Sequence, residues 1–228
     1  MPDRKIALVT GGNRGIGRAV AAELHSRGLR VIVTARTPEE ATRTAAELGD
    51  GAAGLRLDVT RPDSVREVAA AAGRVDVLVS NAGVLLEDGA GDPLTVGLDV
   101  VQRTLEVNLL GAWRTAQAFV PAMVDRGWGR VVFVSSGTGS FTAGLFTGSP
   151  AYALSKTALN GLTQLLATAT KGTGVLVNAV NPGPTRTRMM PHGRRSVAEA
   201  AVDVADAALL PDDGPSGTFR RGEQTFGW

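Results

Sequence analysis

The sequence predicts a single-domain α/β protein with a doubly wound parallel sheet and helices on both faces. Three observations predict this fold: short β-branched runs alternate with amphipathic stretches, each run is apolar almost throughout, and many glycines stand where the runs end. A strand that is apolar on both sides is buried on both faces, as in a parallel sheet covered by helices. Strict alternation of strands and helices implies right-handed crossovers within one sheet.

Six strands and five helices are predicted in order along the chain. The strands are KIALVT (5–10), RVIVTA (30–35), GLRLDV (54–59), VDVLVS (75–80), RVVFVS (130–135) and GVLVNAV (174–180). The helices cover 15–27, 38–48, 62–72, roughly 98–126, and 150–171. Pro38 and Pro62 stand in the first turn of two of these helices, where a missing N–H costs no hydrogen bond. No repeat, low-complexity tract or linker interrupts the pattern, so residues 1–228 are predicted to form one domain.

The composition is that of an ordinary globular protein and excludes several function classes. Of 228 residues, 43% are hydrophobic and 20% charged, and the net charge of +2 makes nucleic acid a poor partner. The lack of cysteine excludes disulfides and thiolate metal sites, and no His/Asp/Glu cluster has ligand spacing, so no metal is expected. No apolar run approaches the ~18 residues of a membrane span, and the N-terminus lacks the apolar core of a signal peptide. We therefore expect a soluble cytoplasmic protein with no membrane partner.

A glycine-rich loop, TGGNRGIG (10–17), joins the first strand to the first helix. Gly11, Gly15 and Gly17 let the backbone turn sharply and bring a diphosphate close to the helix N-terminus, where unpaired N–H groups and the helix dipole favour an anion. The position after strand one and at the opening of helix one favours a dinucleotide over a simple β–α turn. The predicted fold is therefore Rossmann-like.

Five motifs together resemble the short-chain dehydrogenase/reductase family. In chain order they are TGGNRGIG (10–17), SNAG (80–83), NLLG (108–111), YALSK (152–156) and NPGPTRTRM (181–189). The closing GTFRRGEQTFGW is similar to the tail of the carbonyl-reductase-like members. The resemblance covers essentially the whole chain and implies a nicotinamide cofactor and a carbonyl or alcohol substrate. Ser80 departs from the family's usual asparagine, a change that affects packing more than chemistry.

The end of the second strand predicts NADP(H) over NAD(H). An acidic residue there would bind the ribose hydroxyls of NAD, but the sequence has Ala35 followed by Arg36. Arg36 and Arg14 can form charge-assisted hydrogen bonds with a 2′-phosphate, although either could be a solvated surface charge. The resemblance implies cofactor contacts from Gly11, Asn13, Arg14, Gly15, Ile16, Gly17, Arg36, Asp58, Val59, Asn81, Ala82, Gly83, Tyr152, Lys156, Pro182, Gly183, Thr185 and Thr187.

Tyr152 and Lys156 are four residues apart and so project from the same face of a helix. A free tyrosine has a pKa of about 10, and both a nearby ammonium and the positive charge of an oxidised nicotinamide stabilise the phenolate. The pKa of Tyr152 is therefore predicted to fall towards neutrality. The resemblance implies that Tyr152 is the general acid/base and that Lys156 also holds the nicotinamide ribose.

The resemblance further implies a catalytic serine at the end of the fifth strand. The family's usual spacing of thirteen residues before the tyrosine points to Gly139, which has no hydroxyl. We interpret 137–151 as carrying three extra residues, which makes Ser136 the catalytic serine and leaves Ser140 as the alternative. The resemblance also assigns to Asn108 the anchoring of a proton relay to Lys156.

Substrate recognition is expected on the loops beyond the carboxyl ends of the strands, namely 84–97, 137–151 and 184–196. Their apolar side chains predict an apolar pocket, and Arg188 stands where the family usually has an acid. The predicted function is that of an NADPH-dependent oxidoreductase of the carbonyl reductase type. A catalytically idle NADP-binding redox sensor is the alternative, and a dehalogenase-like member would need a glycine loop blocked by bulky residues.

Assembly into a homodimer or homotetramer is also predicted. The helices over 98–126 and 150–171 are long, and Leu159, Leu162 and Leu166 recur along one stripe of the second. Part of this stripe must pack on the sheet. The resemblance implies that the outer faces of the two helices meet a second copy in a two-fold interface, because the insertion before Tyr152 is too short to cover them.

Overall fold

A computed structural model describes residues 4–228 of the chain. Its strands are β1 Ile6–Val9, β2 Arg30–Ala35, β3 Ala52–Arg56, β4 Val77–Ser80, β5 Gly129–Val134, β6 Val175–Val180, β7 Phe219–Arg221 and β8 Gln224–Phe226. Its α-helices are α1 Gly15–Ser26, α2 Pro38–Leu48, α3 Pro62–Ala72, α4 Leu98–Leu105, α5 Ala112–Asp125, α6 Pro150–Ala169 and α7 Val197–Ala208. A π-helical segment, Glu106–Gly111, joins α4 to α5.

The strands form one sheet in the order β3-β2-β1-β4-β5-β6-β7-β8. Every neighbouring pair is parallel except β7 and β8. The chain first builds the sheet outwards from β1 to β3 and then returns to place β4 on the other side of β1. This reversal opens a crevice at the carboxyl ends of β1 and β4, which is where open α/β sheets bind ligands. The predicted doubly wound fold is confirmed.

Two hydrophobic layers cover the two faces of the sheet. Alternate residues of a strand point to opposite faces, so Leu8 packs with α3, α5 and α6, whereas its neighbours Ala7 and Val9 pack with α1 and α7. Leu159 and Leu162 of α6 are almost fully buried in the first layer. The leucine stripe that the sequence offered for assembly therefore belongs to the core.

The predicted helices and five of the six predicted strands lie within a few residues of their observed bounds, but β3 was placed wrongly. It covers Ala52–Arg56 and not 54–59. The chain leaves the sheet near Asp58, whose carboxylate accepts hydrogen bonds from the backbone N–H and the hydroxyl of Thr60. This turn, and not the end of the apolar pattern, terminates the strand.

Three elements at the C-terminal side of the chain were not predicted. Helix α7 begins with a capping box, in which Ser196 and Glu199 satisfy each other's backbone N–H groups. Strands β7 and β8 form a short antiparallel hairpin that extends the sheet beyond β6. None of the helices within residues 4–228 is both long and apolar enough to cross a membrane.

Candidate active site

A cavity of about 420 Å³ lies at the carboxyl ends of the strands, on the crevice between β1 and β4. Its walls come from the loop after β1, from the ends of β2 to β6 and from α6. Most of the residues assigned to the cofactor line it together. They are Gly11, Asn13, Arg14, Gly15, Ile16, Gly17, Arg36, Asp58, Val59, Asn81, Ala82, Gly83, Tyr152, Lys156, Pro182 and Thr187.

Gly183 and Thr185, also assigned to the cofactor, do not line the cavity. The Thr185 hydroxyl is buried and donates to the carbonyl oxygen of Pro182 at 2.9 Å, and the Gly183 N–H donates to the Asn181 side chain at 3.0 Å. Both therefore shape the turn after β6 behind the cavity wall. Their predicted contact with a cofactor gains no support from this geometry.

The sequence reasoning missed several residues of the cavity wall. Glu40 of α2 lines the cavity near Arg36, and its carboxylate accepts a hydrogen bond from the Thr37 hydroxyl at 3.1 Å. Leu57, Thr60, Val107, Val134 and Ser135 were also missed, whereas Ala35 was named at the end of β2 and Val84, Arg188 and Met189 lie on the predicted substrate loops. Val134 is the last residue of β5, and Leu57 and Ser135 directly follow β3 and β5, so the rule that ligands bind at carboxyl strand ends could have identified these three.

The glycine loop packs so closely that Gly17 has no room for a side chain. A Cβ atom at Gly17 would lie 2.3 Å from the carbonyl oxygen of Gly11 and 2.4 Å from Nδ2 of Asn81. The Asn81 amide donates to the carbonyl oxygens of Thr10 and Gly11 at 3.0 and 3.1 Å. Asn81 therefore ties the end of β4 to the loop that opens α1, and the open turn fits a dinucleotide diphosphate.

Two arginines at one end of the cavity are available for an anion. Arg14 and Arg36 are exposed, and neither guanidinium forms a hydrogen bond or an ion pair within residues 4–228. Burial alone would raise the pKa of Asp58, but hydrogen bonds from Thr60 and the charges of Arg36 and Arg56 outweigh it and lower that pKa. The arrangement is suited to a phosphate group.

Tyr152 and Lys156 lie side by side on the first turns of α6. The Lys156 Nζ donates to the carbonyl oxygen of Val134 at 2.8 Å and lies 5.5 Å from the centre of the Tyr152 ring. Lys156 is 4% exposed, and burial lowers its pKa to about 8. The predicted pairing on one helix face is therefore present, with the ammonium anchored to the end of β5.

The chain by itself does not produce the predicted fall in the pKa of Tyr152. Burial raises the pKa of Tyr152 to about 12, and a hydrogen bond with the Ser136 side chain opposes the rise only in part. The reason is that desolvation penalises the phenolate, while the Lys156 ammonium is directed at a backbone carbonyl. The phenol is therefore held in its protonated form, as a proton donor requires.

The two candidate serines have different surroundings. Ser136 accepts hydrogen bonds from the N–H and the hydroxyl of Thr138 at 3.3 and 3.0 Å, which leaves its own proton for Tyr152 or a ligand. The Ser140 hydroxyl is 3% exposed and donates to the carbonyl oxygen of Gly227 at 2.9 Å. Ser136 does not line the cavity, but its bond with the Tyr152 phenol favours it over Ser140 as the serine that faces the tyrosine.

Gly139, which occupies the position that the family's usual spacing gives to the serine, packs against α6. A Cβ atom there would lie 2.5 Å from the backbone nitrogen of Thr157, so the turn after β5 rests directly on α6. The Thr157 hydroxyl donates to the Gly139 carbonyl oxygen at 2.9 Å. This contact fixes the distance between Ser136 and the helix that carries Tyr152.

Asn108 lies within the π-helical segment, where the regular hydrogen bonding of the helix is interrupted. Its side chain accepts from the Val84 N–H at 2.8 Å and donates to the Val84 carbonyl oxygen and the Ser155 hydroxyl, both at 2.9 Å. Asn108 does not line the cavity. It holds the loop after β4 against α6, and its predicted part in a proton relay is not tested by these contacts.

The three predicted substrate loops carry exposed apolar side chains and several cations. Leu94, Phe141 and Phe146 are 91%, 70% and 49% exposed, and Met189 and Met190 are 42% and 43% exposed. Other exposed side chains on the third loop are the arginines Arg186, Arg188 and Arg194. Within residues 4–228 no group of three or more His, Asp or Glu residues could hold a metal ion.

Comparisons with known proteins identify the family of the chain. A family model for short chain dehydrogenases matches residues 5–197. The chain is 37% identical over 191 residues to 3-oxoacyl-[acyl-carrier-protein] reductase FabG of Escherichia coli (strain K12). The aligned region covers 81% of this chain and 75% of that protein.

Solved structures with similar folds carry related descriptions. A 3-oxoacyl-[acyl-carrier protein] reductase from Brucella melitensis superposes with a TM-score of 0.85 at 28% identity, covering 94% of this chain and 88% of that one. A structure described as ElxO with NADP bound superposes with a TM-score of 0.86 at 26% identity, covering 95% and 96%.

Proposed function

Because the chain belongs to the short-chain dehydrogenase family, a family of oxidoreductases, we propose that it is an NADPH-dependent reductase that converts a carbonyl group to an alcohol. One observation carries the proposal. The protonated phenol of Tyr152 and the buried ammonium of Lys156 line a single cavity with the glycine loop, and the phenol is hydrogen-bonded to Ser136.

Each polar side chain has a part in this reaction. When bound, the cofactor supplies the hydride that adds to the carbonyl carbon. The Ser136 hydroxyl orients the carbonyl oxygen, and Tyr152 transfers its phenolic proton to that oxygen as the alcohol forms. The Lys156 ammonium stabilises the phenolate that remains and binds the nicotinamide ribose. Asn108 anchors the relay that returns a proton towards Lys156 and Tyr152.

The preference for NADPH rests on Arg14 and Arg36. Both are free to bind a 2′-phosphate, and the position after β2 that would bind the ribose of NAD has no acid. The ElxO structure with NADP bound has a similar fold and supports the same assignment. A preference for NADH, or equal efficiency with both cofactors, would contradict it.

The carbonyl substrate is proposed to have an apolar chain. Leu94, Phe141 and Phe146 on the predicted substrate loops are exposed and lie beyond the strand ends. The relatives named as 3-oxoacyl-[acyl-carrier-protein] reductases make 3-oxoacyl thioesters the first compounds to try. Simple aldehydes, ketones and quinones test the wider carbonyl reductase assignment.

The decisive experiment follows the oxidation of NADPH by its absorbance with this panel. We expect turnover with at least one carbonyl compound and none with Tyr152→Phe, which removes only the phenolic hydroxyl. NADPH should bind this variant as tightly as it binds the natural chain, because the phenol acts on the substrate oxygen. Tight NADPH binding by the natural chain with no turnover on any compound would favour the idle redox sensor.

A further inference from the structure

The N-terminus of helix α6 is capped by an acidic side chain from a distant part of the chain. The first residue of the helix is Pro150, which has no N–H, and the preceding Ser149 makes no side-chain hydrogen bond to the helix. The Ala151 and Tyr152 N–H groups donate to Oε1 and Oε2 of Glu87, each at 2.9 Å. The Ala153 N–H donates to the Ser149 carbonyl oxygen at 2.9 Å. Glu87 therefore satisfies the free N–H groups of the whole first turn.

This arrangement differs from that of the other helices with a proline or a cap at the start. Helices α2 and α3 have acids in their own first turns, and α7 has its own capping box, whereas α6 has no acid in its first turn. Glu87 supplies the negative charge that favours a helix N-terminus. It does so from the loop after β4, 65 residues before Tyr152.

The loop that contains Glu87 is held at two further points. Asn108 binds the backbone of Val84 on one side of Glu87. On the other side, the Gly91 N–H donates to the Gly148 carbonyl oxygen at 2.8 Å. The carboxylate thus joins a predicted substrate loop to the backbone of the residue that carries the phenol.

We propose that Glu87 is a positioning residue for Tyr152, because its carboxylate fixes the first turn of α6 relative to the substrate-facing loop after β4. This proposal rests on the proposed function and adds to it a residue that does not line the cavity. Glu87 acts through the backbone of Tyr152 and touches neither substrate nor cofactor. A displacement of about 1 Å at a reacting group can cost about a hundredfold in rate.

The test compares three variants in steady-state kinetics and amide hydrogen exchange. Glu87→Ala removes both acceptors, and Glu87→Gln keeps one oxygen of similar reach. Glu199→Ala is the matched control, because it removes the capping acid of α7, a helix without a proposed catalytic residue. All three should lose some thermal stability.

We expect Glu87→Ala to lower kcat about tenfold or more, as a misplaced reacting group does. The affinity for NADPH should stay unchanged, and Glu87→Gln should show a smaller loss of kcat. The amides of Ala151 and Tyr152 should exchange faster in Glu87→Ala and keep their protection in Glu199→Ala, whose kcat should match that of the natural chain.

Two kinetic results would overturn the proposal. An unchanged kcat in Glu87→Ala would mean that the carboxylate caps the helix without positioning Tyr152. An equal loss of kcat in Glu199→Ala would indicate general destabilisation. If the natural chain reduces no carbonyl compound, the proposed function fails separately. Amide exchange then tests whether the Glu87 carboxylate fixes the first turn of α6. Unchanged exchange at Ala151 and Tyr152 in Glu87→Ala would contradict that contact as well.

Discussion

Burial displaces the pKa values of Tyr152 and Lys156 in opposite directions. It raises that of the phenol to about 12 and lowers that of the ammonium to about 8. Both shifts favour the neutral form, because removing either charge from water is costly. In the chain alone, Lys156 therefore loses its proton well before Tyr152 does.

The pH dependence of carbonyl reduction should follow Lys156. We expect kcat/KM to decline as pH rises through about 8, where the ammonium loses its charge while the phenol remains protonated. Lys156→Arg keeps its charge and should move the decline to higher pH even if its rate is lower. A decline at the same pH in both proteins would assign it to another group.

The two pKa shifts also make the stability of the fold change with pH in opposite directions. The folded pKa of Tyr152 lies above its usual 10.0, so its contribution is complete below pH 10 and is lost as pH rises through about 12. The folded pKa of Lys156 lies below its usual 10.5, so its contribution is present above that pH and is lost as pH falls through about 8.

Ser136 and Ser140 form a natural pair for testing the catalytic serine. Ser136→Ala should lower kcat with little effect on thermal stability, because apart from its bond with the Tyr152 phenol its hydroxyl bonds only within its own turn. Ser140→Ala should lower stability, because its hydroxyl holds the backbone of Gly227 and Ala143, and should leave kcat nearly unchanged. The opposite pattern in kinetics and thermal melts would select Ser140.

Arg36→Asp should reverse the cofactor preference. A charge-assisted hydrogen bond contributes about 1.5–3 kcal/mol, so losing one weakens NADPH binding by about tenfold or more. The new carboxylate would also bind the ribose of NADH. Arg43→Asp makes the same charge change at an exposed position outside the cavity and should leave the ratio of affinities unchanged. An unchanged ratio of NADPH to NADH affinity in Arg36→Asp would mean that Arg14 alone, or neither arginine, binds the 2′-phosphate.

At the scale of elements, the start of α1 depends on the close approach at Gly17. Gly17→Ala would force Gly11 and Asn81 apart, and we expect at least tenfold weaker NADPH binding and a lower melting temperature. Gly161→Ala in α6 is the control, because nothing lies within 4 Å of its added Cβ atom. An alanine in an open helix position should stabilise by about 0.5–1 kcal/mol. Unchanged NADPH affinity in Gly17→Ala would show that cofactor binding does not depend on this close packing.

The sequence predicted those elements whose stability depends on local pattern. Strands β1, β2, β4, β5 and β6 have continuous apolar runs because helices cover both their faces. Strand β3 lies at the sheet edge, so its apolar run does not define its end. Strands β7 and β8 are three residues each and largely polar, which leaves no periodic signal. Ser196 and Glu199 do carry the sequence signature of a capping box at the start of α7, although no helix was predicted there.

For the candidate site, motifs identified side chains but not their partners. The pairing of Tyr152 with Lys156 follows from helix geometry, whereas the pKa of each depends on burial that only the folded chain provides. The contact of Glu87 with α6 joins residues more than sixty positions apart, and no local pattern marks it. The π-helical geometry around Asn108 likewise has no signature in the letters EVNLLG.

At the scale of the whole molecule, the proposed active site and a cluster of charged and aromatic side chains lie at opposite ends of the strands. There the buried Arg130 donates to Asp212 at 2.7 Å and lies over the Trp128 ring, which Lys5 also contacts at 3.6 Å from the ring centre. Removing the partner of a buried charge is costly, because the remaining charge stays buried and unpaired. Substitutions in this cluster should affect stability more than cofactor binding.

Assembly is proposed through the outer faces of the long helices. Trp113 of α5 is 38% exposed, and Leu154 and Leu165 of α6 are 49% and 63% exposed. We expect light scattering to give at least twice the 23.5 kDa chain mass. Leu165→Glu should shift the mass towards a single chain, whereas Leu94→Glu, on a substrate loop, should not. A natural chain that elutes as a monomer at micromolar concentration would contradict the proposal.

The proposed proton donor is also the one tyrosine among the 228 residues. Any ultraviolet difference signal from tyrosinate must therefore come from Tyr152, and tyrosine labelled with carbon-13 only at Cζ would give a single resonance. The proposed proton donor can thus be titrated optically in the natural chain, with no background from other phenols to subtract. Repeating the titration with NADP+ present would read directly how far a bound cofactor shifts the ionisation of this group from the value of about 12.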